Sequence, residues 1–125
     1  MPATDPVLLR YYAAVDSGDI DAALRMVAPD VGFAIMLPGA VRRGQDREGI
    51  ADYLRGRGDV QRAHVPLRTG TDGDLEFVYG AVVEDSTTTT GHFLASARVT
   101  PDGLIGAYQV AFDPELRLLS TREGR

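Results

Sequence analysis

The hydrophobic positions change period along the chain, and the changes mark out the elements. From Val7 the apolar residues Val7, Leu8, Tyr11, Tyr12 and Val15 recur at helical spacing and form one stripe. Asp5-Pro6 precedes them, which predicts a cap followed by proline where its missing N–H costs nothing. Gly18 can take the left-handed conformation that ends a helix, and Asp19 can cap a second one. Ile20, Ala23, Leu24 and Val27 supply its apolar face, with Pro29 as the expected stop. Val31, Phe33, Ile35 and Leu37 then alternate with Gly32, Ala34, Met36 and Pro38. Both sets are largely apolar, which predicts a strand covered on both faces. "PGAVRRGQ" reads as a turn. Asp46 is placed to cap a third helix that buries Ile50, Ala51, Tyr53 and Leu54 and ends in "GRG" at Gly56 to Gly58.

After Gly58 the period becomes alternating. "RAHVPLRT" predicts a strand in which Pro66 cannot donate to a ladder, so an edge position or a bulge is expected there. "TGTDGD" is a turn signal, "LEFVYGAVVED" a long strand, and "STTTT" leads out of its hairpin. "GHFLASARVT", a "PDG" turn and "LIGAYQVAFD" follow, and "LRLLS" adds a short strand or a C-terminal arm. Along the penultimate long strand Phe93, Ala95, Ala97 and Val99 form an apolar face, and His92, Leu94, Ser96 and Arg98 a mixed one. Early helices followed by hairpin-linked strands imply an α+β fold with the helices on one face of the sheet.

Composition narrows what such a fold can do. At 125 residues the chain is long enough for one domain, expected to span 1–125. Cysteine is absent, which excludes disulfides and thiolate chemistry and fits a cytoplasmic protein. All thirteen basic residues are Arg, so Schiff-base and Walker-type phosphate chemistry are excluded. A net charge of −5 with scattered arginines argues against nucleic acid. No apolar run is long enough for a membrane span, and the first ten residues do not read as a secretory signal. Two histidines 28 positions apart, without HExxH-type spacing, give no metal site, and no motif calls for a cofactor.

Three stretches, "YYAAVDSGDIDAALRMVAPDV", "RRGQDREGIADYLRGRG" and "PDGLIGAYQVAFDP", resemble in order and spacing the NTF2-like superfamily, and within it the SnoaL-like group of polyketide cyclase- and isomerase-like proteins. The resemblance implies a cone: a curved antiparallel sheet wrapped around three N-terminal-half helices, with an apolar pocket at the open end and a homodimer formed through the outer sheet face. It also implies a small hydrophobic ligand and metal-free acid–base proton transfer of the isomerase, cyclase or hydrolase kind. A non-catalytic ligand-binding or protein-interaction module of the same fold is the alternative. The chain departs from enzymatic relatives in having no acid inside its first strand, and Gln109-Val110 where an Arg and an acid often precede the final aromatic-Asp.

The candidate acid/base is His92, at the head of the mixed strand face. Tyr12, Phe33, His64, Tyr79 and Gln109 are the candidate ligand-binding residues, with Tyr12 and Gln109 as hydrogen-bonding groups and Tyr79 as pocket wall or core. Asp30, Asp46 and Asp113 are assigned to turns and caps, and Glu76 to a strand face that the sequence leaves open.

Overall fold

A computed structural model describes residues 5–57 and 61–119. Gly58 and Ser120, at the ends of two segments discussed above, lie outside the described residues. The elements run α1 (Val7–Asp16), α2 (Ile20–Leu24), β1 (Val27–Leu37), β2 (Ala40–Gly44), α3 (Arg47–Arg55), β3 (Arg62–Asp72), β4 (Leu75–Glu84), β5 (Thr88–Val99) and β6 (Ile105–Asp113). The strands form one open sheet in the order β2-β1-β6-β5-β4-β3. The architecture is the α+β cone, with the three helices packed into the hollow of the sheet.

Local capping chemistry fixes two helices as expected. The Asp19 carboxylate accepts from the Ala22 amide at 3.0 Å, and Asp46 accepts from the Gly49 amide at 2.8 Å. Gly18 ends α1 at φ +83°. The start of α1 differs from expectation. Asp5 makes no side-chain cap; Pro6 is the capping position. Glu76, reaching in from β4, takes the role instead: its two carboxylate oxygens accept from the amides of Val7 at 3.1 Å and Leu8 at 3.0 Å. A carboxylate there also suits the positive end of the helix dipole.

Three further departures concern the sheet. "AVRRG" is not a turn but the edge strand β2, paired antiparallel to β1. Pro29 does not stop α2. That helix ends at Leu24, and Pro29 lies within β1, in a register shift between Val27 and Gly32. β1 runs parallel to β6, with Phe33 opposite Tyr108 and Ile35 opposite Val110, so the sheet is mixed while its other four pairings are antiparallel. At the C-terminal end, Glu115 to Leu119 form no strand. Pro66 behaves as its chemistry requires: β3 is the other edge strand, and its register shifts between Pro66 and Arg68.

The core lies between the helices and the inner sheet face. Leu8 of α1 and Ile50 of α3 are fully buried in one cluster that also holds Val78, Val82, Ala95 and Ala97. Each such aliphatic side chain contributes about 1.5–3 kcal/mol by leaving water. The inner face is built around aromatic rings lying over glycines. Phe33 pairs with Gly44 and Phe93 with Gly80, and a Cβ on Gly80 would come within 2.9 Å of the Phe93 ring and 2.5 Å of the Val65 carbonyl oxygen. Glycine is required at these close approaches.

Candidate functional site

Register decides which side chains reach the hollow. In β5, Phe93 and Ala95 face inward; in β6, Tyr108, Val110 and Phe112; in β4, Val78, Val82 and Glu84. Phe93, Tyr108, Val110, Phe112, Val82 and Glu84 of this face, with Tyr11, Tyr12 and Val15 of α1, Leu54 at the end of α3, and Arg62 and His64 of β3, line a partly open cavity of about 310 Å³. That lies near the lower end of the volumes of small-molecule sites, roughly 300–1,000 Å³. Most of the wall is aliphatic or aromatic, and the polar groups are few.

The central pair is Asp16 and His64. Asp16 is the last residue of α1. Its Oδ1 lies 2.7 Å from His64 Nδ1, and its Oδ2 accepts from the His64 backbone amide at 2.6 Å. Both side chains are largely shielded, at 13% and 19% exposure for His64 and Asp16. A carboxylate only accepts, so Nδ1 carries a proton, and the neutral form of the ring has its lone pair on Nε2. No described residue bonds Nε2.

The imidazole is held by rings on two sides. Tyr12 stacks on it with centroids 4.4 Å apart and planes 17° apart, and Phe93 meets it edge-on at 5.2 Å. The Tyr12 and Tyr108 hydroxyls are hydrogen-bonded to each other. One proton lies between the two oxygens, so the second O–H remains able to donate. Burial is the main influence on both phenols and raises their pKa well beyond the ordinary 10.0. The Tyr108 bond pulls Tyr12 partly back. Both are neutral donors at any physiological pH. Nearby, Arg62 Nε lies 3.2 Å from Glu84 Oε2.

Tyr12 and His64, two of the sequence candidates, thus meet at the cavity. The others do not. Phe33 is on the inner face but fills the space beside Gly44 and Gly49 under α3. Tyr79, His92 and Gln109 are on the outer face of the sheet. His92 is buried there, stacked on Tyr79 at 5.8 Å, with its Nε2 unpartnered among the described residues. Burial, then the charge of Arg117, lowers its pKa. The Tyr79 hydroxyl accepts from the Leu118 amide at 2.7 Å, tying down the segment after β6, and Gln109 is solvent-exposed. The physical reason is parity: one residue along a strand reverses the face. The apolar and mixed faces of β5 were separable by eye, but the hollow side is the apolar one.

Asp16, Tyr108 and Arg57 were not singled out from the sequence. Asp16 reads as part of a helix break, and only its partner 48 positions away gives it a role. Tyr108 could have been found from its alternation with Val110 and Phe112. Among the described residues no three His, Asp or Glu side chains converge as metal ligands would, and no helix is long and apolar enough to cross a membrane.

No protein-family model matches the chain, and no curated protein matches it. Solved structures do. IdmH of Streptomyces antibioticus, a proposed polyketide cyclase, is 19% identical at a TM-score of 0.70, over 86% of this chain and 89% of that one. A proposed isomerase of the SnoaL-like family from Agrobacterium tumefaciens is 13% identical at a TM-score of 0.68, over 86% and 94%. An NTF2-like protein of unknown function from Cytophaga hutchinsonii is 16% identical at 0.65, over 90% and 96%. Identities this low speak for the fold and not for the reaction. Element order, sheet topology and these likenesses agree on the fold, the NTF2-like α+β cone.

Proposed function

We propose that the protein is a metal-free acid–base catalyst that moves a proton on a small, largely apolar carbonyl compound, in an isomerisation or cyclisation. The observation that carries this is the Asp16–His64 pair beside the Tyr12–Tyr108 pair in one wall of the cavity. His64 Nε2 is the base. It removes a proton from the carbon next to the carbonyl, and the resulting imidazolium is stabilised by the Asp16 carboxylate on Nδ1. Negative charge moves to the carbonyl oxygen, where the free hydroxyl of the tyrosine pair donates to it. The imidazolium then returns the proton to a different atom of the same substrate. His64, not His92, takes the acid–base role in this reading, because His92 faces away from the cavity. The names given to the Streptomyces and Agrobacterium proteins are in keeping with such chemistry.

The test is deuterium uptake from heavy water into a bicyclic ketone such as 2-tetralone, followed by proton NMR. The wild type should accelerate exchange next to the carbonyl, and His64→Gln should lose on the order of 100-fold or more of that rate. Exchange no faster than in buffer argues for the non-catalytic ligand-binding alternative, and accelerated exchange unchanged in His64→Gln removes His64 as the base.

The outer sheet face supports a second reading, of partnership rather than chemistry. Val65, Phe77 and Leu94 lie on it at 40%, 39% and 49% exposure. A second copy of the chain covering this face accounts for them, as the homodimer implied by the resemblance would. Light scattering should give twice the chain mass for the wild type and the chain mass for Leu94→Glu; a monomeric wild type removes this reading.

A further inference from the structure

Among the described residues, Arg57 is the charged group of the cavity wall without an ion-pair partner. It lies two residues beyond the end of α3, half-buried, with its side chain in the cavity wall. It sits beside Tyr11, whose phenol is pushed up foremost by burial and is pulled part of the way back by the Arg57 charge. The other ionisable groups that the wall shares with Arg57 have partners: Arg62 pairs with Glu84, and His64 is hydrogen-bonded to Asp16. Among the described residues no carboxylate lies within ion-pair distance of Arg57.

A guanidinium near a helix C-terminus often serves only the helix dipole. α3 already carries Arg55 in its last turn, and that side chain is exposed beside Glu48. A dipole role gives Arg57 no reason to line the cavity. Guanidinium is weakly hydrated and presents a planar fork of donors that matches a carboxylate, which is the pairing a partly shielded Arg recruits.

We propose that the ligand of this cavity is a carboxylic acid: an apolar body with its carboxylate seated on Arg57. The body packs against Ile35, Val82, Val110 and Phe112. The carboxylate lies beside Tyr11, and the far end reaches the Tyr12 and His64 wall. This deepens the proton-transfer reading, on which it rests for the choice of reacting end. It narrows the substrate class to keto acids and related carbonyl acids.

The experiment is calorimetric titration of the full chain with 2-naphthoate and with its methyl ester, at neutral pH and low salt. The acid should bind the wild type roughly tenfold tighter than the ester or better, the range of one charge-assisted pair. In Arg57→Gln the two affinities should converge, with the ester's unchanged. Equal affinities in the wild type, which require no variant, overturn the proposal, as does a preference for the acid that survives Arg57→Gln. The proton-transfer reading then stands or falls separately on ketone exchange in His64→Gln. Loss of the catalytic reading with a retained acid preference leaves a binding protein for acids. If neither compound binds, the acid proposal fails, whatever the outcome of ketone exchange.

Discussion

Asp16 holds His64 at two points, the ring Nδ1 at 2.7 Å and the backbone amide at 2.6 Å. The second bond fixes the start of the edge strand β3 against the end of α1, and the first fixes the ring's tautomer. One carboxylate therefore sets both where the imidazole is and which nitrogen faces the cavity. Asp16 acts through His64 and is a positioning residue.

Asp16→Asn separates those two effects. The amide oxygen can still accept one bond, but the NH₂ group favours an unprotonated Nδ1 and moves the ring proton to Nε2. Exchange activity should fall by on the order of 100-fold, as for loss of a general base. Stability should fall by only about 1–3 kcal/mol. Nitrogen NMR of the labelled imidazole should show the tautomer change; an unchanged tautomer with lost activity would falsify the positioning role.

Three phenols, Tyr11, Tyr12 and Tyr108, are held protonated by burial above their ordinary pKa of 10.0. The unfolded chain releases these protons from about pH 10 upward while the folded chain retains them. Stability contributed by the three is therefore complete below pH 10 and is lost as pH rises further. Their phenolate absorbance should appear together with the loss of helical circular dichroism. Tyr12→Phe should flatten the alkaline decline in urea midpoint, and an identical slope would rule this account out.

His92 has the opposite sign. Burial, then Arg117, depresses its folded pKa below 6.5, and Asp113, opposite it in register, is occupied by the amides of Glu115 and Leu116. As pH falls below 6.5 the unfolded chain takes up a proton that the folded chain resists, so stability present above 6.5 is lost toward acid. His92→Phe keeps a ring against Tyr79 and removes the proton. Its urea midpoint should drop less than that of the wild type between pH 7 and pH 5.

Gly80→Ala places a methyl group against the Val65 carbonyl and the Phe93 ring. The backbone oxygen cannot rotate away, so strand β3 or the ring must move. A loss of about 1–3 kcal/mol is expected, the range for overpacking a well-filled site. Because Phe93 also borders His64, ligand affinity should fall along with the urea midpoint. A wild-type midpoint would show that the edge strand adapts freely.

What the sequence made legible was local. Asp19 and Asp46 act three residues away, and Gly18 acts on its own backbone, so their roles follow from neighbours. Asp5 satisfied the same local pattern and lost to Glu76, which is distant in the chain and adjacent in space. β2 escaped notice because its exposed residues, Arg42 and Arg43 among them, show no alternation at a sheet edge. The parallel pairing of β1 with β6 has no sequence signal at all, since nothing in either strand names its partner. The same limit divided the candidate site. Tyr12 and His64 were recognisable as useful groups, but their convergence on Asp16 and Tyr108 depends on contacts 48 and 96 positions apart.

The grip of Glu76 on the first turn of α1 bears on the order of assembly. A ten-residue helix is marginal alone, and this one has its amide ends completed only by a hairpin formed much later in the chain. The part of the cavity wall carried by that helix, Tyr12 with Asp16 behind it, is therefore not complete before β4 has docked. Synthesis of the first half of the chain yields at most a flickering precursor of that wall.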